Sequence, residues 1–208
     1  MHTVILDAKR KNLLPLLAAF KEDFYLAGGT ALALQIGHRL SVDFDFFTEV
    51  PFDPNELFAK IEKIFVSHKV RQVQNEKNTL SVFVDGIKIS FFYTPYALLA
   101  DTIDDSYLRL ASIRDIGCFK LGAILSRATN KDYIDLHYIL QEIYLPQLLS
   151  AARKKMPTID ESLLLKSLVY FADIEQEDIV FVEGKEIAFE VVEESLRQAV
   201  RAYMEKSF

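Results

Sequence analysis

The chain has 208 residues, half of them apolar, with 16 Phe and 9 Tyr, which is enough for one domain with an appendage or two small domains and excludes a largely disordered protein. Its formal net charge of −6 excludes a global nucleic-acid footprint, so any RNA contact must use a local patch. The single cysteine, Cys118, excludes an intramolecular disulfide and suits a reducing compartment. The start, Met1 to Asp7, shows no basic region leading into an apolar stretch, and no apolar run approaches the roughly 20 residues of a membrane span. The expectation is a cytoplasmic protein with no membrane partner.

In chain order, Ala8 to Phe20 reads as an amphipathic helix with Leu13, Leu14, Leu16, Leu17 and Phe20 on its apolar face. Phe24 to Ala27 is a short buried strand that runs into Gly28-Gly29. Thr30 to Ile36 is a small apolar helix stopped by Gly37. Ser41 to Thr48 is a strand with Val42, Phe44 and Phe46 on one face and Asp43, Asp45 and Phe47 on the other. Pro54 to Phe65 is a helix opened by its proline. Lys69 to Gln74 is a strand, and Thr79 to Val84 and Ile87 to Tyr93 form a hairpin around Asp85-Gly86. After Pro95 the pattern becomes helical: Ser112 to Arg127, Asp132 to Ile143, Pro146 to Lys155, Asp160 to Phe171 and Glu186 to Lys206. The reading is an α/β core over 1–95 followed by a helical part over 96–208.

Two features of the first half point to chemistry. A glycine pair at the mouth of a helix exposes backbone N–H groups that can hold phosphate. Gly28-Gly29-Thr30 has that form, and it also reads as a tight turn with Thr30 as N-cap of a buried helix. The two roles are compatible, because both use the free N–H groups of the first turn. Asp43 and Asp45, at i and i+2 on a strand, point to one face. Close carboxylates repel unless a cation such as Mg²⁺ sits between them. The plainer reading is two solvated residues on an edge strand, but Phe44, Phe46 and Phe47 argue for a strand covered on both faces.

In the second half, Lys120 shares a helix face with Ile113, Ile116, Ala123 and Ile124. It is either a snorkelling lysine whose stem covers the core or an ammonium aimed at phosphate. Asp132 and Asp135 read as helix-capping residues, or as groups that orient Lys120 or touch substrate. Arg39, Arg109, Arg114, Arg127 and Lys131 are candidates for a local basic rim. His38, His137 and Cys118 lack the spacing of a metal site or a nucleophile.

These residues carry a resemblance. The run from Leu26-Ala27-Gly28-Gly29-Thr30 through Gly37-His38-Arg39-Leu40-Ser41-Val42-Asp43-Phe44-Asp45-Phe46-Phe47 resembles the AbiEii/AbiGii nucleotidyltransferase toxins of bacterial abortive-infection and type IV toxin–antitoxin systems. Arg114-Asp115-Ile116, Lys120-Leu121 and Lys131-Asp132-Tyr133-Ile134-Asp135-Leu136 resemble that family's second conserved region, and Ser167 to Asp173 its tail. The resemblance implies a polymerase-β-like nucleotidyltransferase fold, with Gly28, Gly29, Thr30 and Arg39 at the nucleotide and Asp43 and Asp45 on Mg²⁺ (or Mn²⁺). It implies that Lys120, with Asp132 or Asp135, completes the site. Some relatives add nucleotides to transfer RNA. There is one departure: the third carboxylate usual in polymerase-β-like sites is replaced, on the strand Gly86 to Phe92, by Ser90.

The expected activity is metal-dependent transfer of a nucleoside monophosphate from a nucleoside triphosphate to an acceptor hydroxyl. Transfer RNA or another RNA is the candidate acceptor, and a cognate antitoxin the candidate protein partner. The alternative, motivated by Ser90, is a catalytically silent nucleotide-binding or protein-interaction module of the same fold. A metal-dependent phosphohydrolase is a weaker third reading, since the chain lacks the histidine-rich clusters many such enzymes use.

Overall fold

The computed structural model describes residues 1–206. The chain forms two compact units: one of Met1–Ala97 with Asp101–Ala111, the other of Leu98–Ala100 with the chain from Ser112 onward.

The first unit is built on a sheet of seven strands: β1 (Tyr25–Ala27), β2 (Phe44–Thr48), β3 (Val70–Glu76), β4 (Thr79–Val84), β5 (Ile87–Tyr93), β6 (Ile103–Asp104) and β7 (Arg109–Leu110). Their order is β3-β4-β5-β2-β1-β7-β6, with β2 parallel to β5, β1 parallel to β7, and the other pairs antiparallel. The unit's helices are α1 (Ala8–Leu17), α2 (Gly28–Ile36) and α3 (Pro54–Ile64). The hairpin β4–β5 turns on Asp85 and Gly86, whose φ angles of 49° and 85° are the left-handed pair that a tight two-residue turn requires. Along β2 burial alternates: Phe44, Phe46 and Thr48 are buried, while Asp45 and Phe47 are half-buried. Phe46 stacks on Phe91 of β5 at 5.2 Å, and Phe20 packs on Phe91 at 5.0 Å, so one sheet face is aromatic core.

Three expectations are corrected here. The first helix ends at Leu17, and Ala18–Phe20 continues as a 3-10 turn. The helix expected from Thr30 begins at Gly28, with Ala27 at its N-cap, so Thr30 lies inside it. The strand expected from Ser41 begins only at Phe44, because side chains take the preceding carbonyls: Arg10 Nε donates to Val42 O at 2.8 Å, and Thr30 Oγ1 to Asp43 O. The two-residue strands β6 and β7 were not anticipated.

The second unit is helical: α4 (Ile113–Ser126), α5 (Asn130–Glu142), α6 (Leu145–Lys155), α7 (Glu161–Ser167) and α8 (Phe189–Lys206). Ser112 caps α4, accepting from Asp115 N at 3.0 Å. Gly117 lets α4 and α6 approach, since a Cβ there would stand 2.8 Å from Leu148 Cδ1. A fully buried ion pair, Lys155 with Asp115 at 2.8 Å, ties α6 to α4, and Asp115 also accepts from Leu99 N at 2.9 Å. Among the described residues no helix is long and apolar enough to cross a membrane.

Candidate active site

The junction of β1 and α2 is a tight turn built on two glycines. Gly28 has φ +70°, and a Cβ on it would lie 3.2 Å from Asp45 Oδ2. A Cβ on Gly29 would lie 2.3 Å from Arg39 Nη2 and 3.4 Å from Ser41 Oγ. Gly28 is required by its φ and stands close to the Asp45 carboxylate, while a side chain on Gly29 would displace the Arg39 guanidinium. Arg39 is 6 % exposed and donates from Nη1 to Leu40 O at 3.0 Å. The first N–H groups of a helix have no partner within it. Here those groups belong to Gly28, Gly29 and Thr30, beside a carboxylate and a buried cation.

Thr30 is 3 % exposed, and its hydroxyl is committed to the Asp43 carbonyl and to Ser41 Oγ, the latter at 2.7 Å. It ties the start of α2 to the backbone of Asp43. Ser41, which the sequence reading did not single out, is the second member of this link. Asp43 lies just before β2 and Asp45 within it, both half-buried. Such a donor set fits Mg²⁺, which takes hard oxygen ligands and is commonly held by one or two carboxylates plus substrate phosphates. The space beside Asp45 Oδ2 exists only because residue 28 has no Cβ. Across the sheet, Asp45 is in register with Ser90 of β5, and Ser90 with Ser81 of β4. Ser90 is fully buried, and Ser81 Oγ donates to Ser90 Oγ at 3.2 Å. Ser81 could have been found from the Asp85-Gly86 turn, whose register sets residue 81 opposite residue 90. Among the described residues no group of three or more His, Cys, Asp or Glu side chains is arranged to hold a metal.

Gly28→Ala is expected to destabilise the fold by about 1–2 kcal/mol, because an L side chain is strained at that φ. Urea unfolding measures this, and an unchanged midpoint would mean that the turn relaxes.

In the second unit the structure brings Lys120, Asp132 and Asp135 together. Lys120 Nζ lies 2.8 Å from Asp132 Oδ1 and 2.5 Å from Asp135 Oδ2, and both aspartates are fully buried. Asp132 also accepts from Arg127 Nε at 3.0 Å and from Thr129 Oγ1 at 2.8 Å. Burial alone would raise the Asp132 pKa, but the Lys120 charge and the hydrogen bonds from Arg127 and Lys120 outweigh it and hold the carboxyl below its ordinary value. The capping role read for Asp132 is not what it does: α5 starts at Asn130, and the carboxylate faces Lys120. Of the arginines and lysine taken as a basic rim, Arg127 is held by Asp132 and Lys131 by Glu177 at 2.8 Å. Arg109 lines a cavity of about 600 Å³ beside Thr48 and Phe52, at the far end of β2 from Asp43. Burial, with the Asp115 charge, pushes the Cys118 thiol up to about 12, so it is no nucleophile at neutral pH.

Comparison with known proteins shows the family and the fold. A family model described as "Nucleotidyl transferase AbiEii toxin, Type IV TA system" matches residues 15–206. The chain is 41 % identical over 189 residues to the uncharacterized protein aq_aa25 of Aquifex aeolicus (strain VF5), covering 88 % of this chain and 89 % of that one. Its fold is similar to MenT4, the nucleotidyltransferase toxin Rv2826c of Mycobacterium tuberculosis H37Rv, with TM-score 0.62 and 15 % identity over 92 % of this chain and 80 % of that one. It is also similar to JHP933 from Helicobacter pylori, with TM-score 0.59 and 18 % identity over 97 % of this chain and 94 % of that one. The fold is that of the polymerase-β-like nucleotidyltransferases. With its family pattern running almost end to end, the chain belongs to the AbiEii family of nucleotidyltransferase toxins.

Proposed function

We propose that this chain transfers a nucleoside monophosphate from a nucleoside triphosphate to an acceptor hydroxyl, with transfer RNA as the first acceptor to test. The observation that carries the reading is the Gly28 turn, which sets the first turn of α2 against the Asp45 carboxylate. In this reading Gly28, Gly29 and the Thr30 N–H cradle the phosphates, and Arg39 supplies positive charge beside them. Asp43 and Asp45 hold Mg²⁺ (or Mn²⁺), which when bound neutralises charge developing on the phosphates. The acceptor oxygen attacks the α-phosphate, its proton is lost, and pyrophosphate leaves. Lys120, which Asp132 and Asp135 hold within the second unit, is assigned to the reaction by the family resemblance. A cognate antitoxin is the expected protein partner.

A second reading is favoured by one observation: the residue in register with Asp45 is a buried serine, not a carboxylate. It makes the chain a catalytically silent nucleotide-binding or interaction module. Label transfer separates the two readings. The protein is incubated with Mg²⁺, each α-labelled nucleoside triphosphate and total bacterial RNA. Label in RNA is the expected result and identifies base and acceptor. Nucleotide binding without label for any of the four would select the silent module.

A further inference from the structure

Building on the assignment of Asp43 and Asp45 to a metal, we infer that the site takes a single divalent cation and that the Ser81–Ser90 hydroxyl pair bars a second. Two-metal sites hold their cations about 3.5–4 Å apart, so two double charges repel at short range. Anionic ligands must bridge or flank both ions to offset that repulsion. Neighbouring strands lie about 4.8 Å apart, so a carboxylate on β5 opposite Asp45 could share an ion with it. Position 90 is that place, because Asp45 and Ser90 are register partners on parallel strands. Ser90 brings a neutral hydroxyl instead. That hydroxyl is fully buried and bonded to Ser81 Oγ at 3.2 Å, and Ser81 itself is 1 % exposed. A buried, mutually satisfied hydroxyl pair has no charge to offer a dication and would lose its hydrogen bond by turning toward one. Asp43 and Asp45 together with the substrate phosphates remain, which is a sufficient set for one Mg²⁺.

The test counts bound manganese. The protein is titrated with Mn²⁺ in the presence of a non-hydrolysable α,β-methylene nucleotide, and tightly bound Mn²⁺ is followed by electron paramagnetic resonance. The expected result is one Mn²⁺ per chain with the spectrum of an isolated ion, lost in Asp43→Ala/Asp45→Ala. A spin-coupled pair in the wild type overturns the inference while leaving the metal role of the aspartates intact. No tight Mn²⁺ overturns that role itself. Ser90→Asp, combined with Ser81→Gly to make room for the larger side chain, is expected to convert the isolated signal into a coupled pair. If that variant does not fold, the wild-type count still decides.

Discussion

Asp43→Ala with Asp45→Ala is expected to reduce nucleotidyl transfer by about 10³-fold or more, since metal-assisted charge stabilisation supplies several kcal/mol and each 1.36 kcal/mol is a factor of ten. Both side chains are half-buried, outside the aromatic core formed by Phe20, Phe46 and Phe91. Their loss is expected to leave the fold intact, because neither side chain belongs to that core. Label transfer and a thermal melt on one preparation measure the two effects. Transfer retained within tenfold of wild type, with the fold intact, would remove the aspartates from the reaction.

The second large effect belongs to Asp132. Removing it by Asp132→Ala takes from the Lys120 ammonium, 6 % exposed, one of the two aspartates that hold it, leaving Asp135, and it also strips Arg127 and Thr129 of an acceptor. Deleting one member of a buried pair costs about 3–5 kcal/mol. In a chain of this size that lowers the melting point by roughly 6–20 °C. In the folded protein, against the effect of burial, Lys120 and Arg127 hold the carboxyl below its ordinary pKa. Its stabilising contribution is therefore complete above that value and is lost as the pH falls through the depressed folded one. Wild-type stability is expected to fall in that acid window, and Asp132→Ala to show a shallower fall there. Adding Lys120→Met to Asp132→Ala strips the fully buried Asp135 of the Lys120 charge and is expected to lower the melting point further. A melting point restored in the double variant would remove the Lys120–Asp135 pair from the stability of the unit.

How much of this was legible in the sequence depended on whether local chemistry or long-range pairing decides each element. The Asp85-Gly86 turn and the helix stop at Gly37 were readable because each needs a positive φ that few residues supply. Lys120 was visible as a polar break in an apolar stripe, but its two partners lie on α5, one helix later in the chain. The short strands β6 and β7 have no periodicity to read: each is two residues long and exists through pairing with its neighbour. The start of β2 was misplaced because Arg10 and Thr30 take the carbonyls of Val42 and Asp43, and no residue pattern announces such a bond. Ser90 was found by analogy, whereas its partner Ser81 required the hairpin register.

The path of the chain between its units bears on how such a protein is made and divided. Residues 98–100 belong to the helical unit, residues 101–111 return to the sheet, and the chain departs again at Ser112. Leu110 of that returning segment pairs with Leu26 of β1. A ribosome that has released only the first 97 residues therefore presents β1 with one flank bare, and open strand edges invite pairing with other chains. A gene fusion or proteolytic cut at that point would yield a sticky fragment, not a transplantable module. Duplication and recombination are thus expected to have carried the two units together.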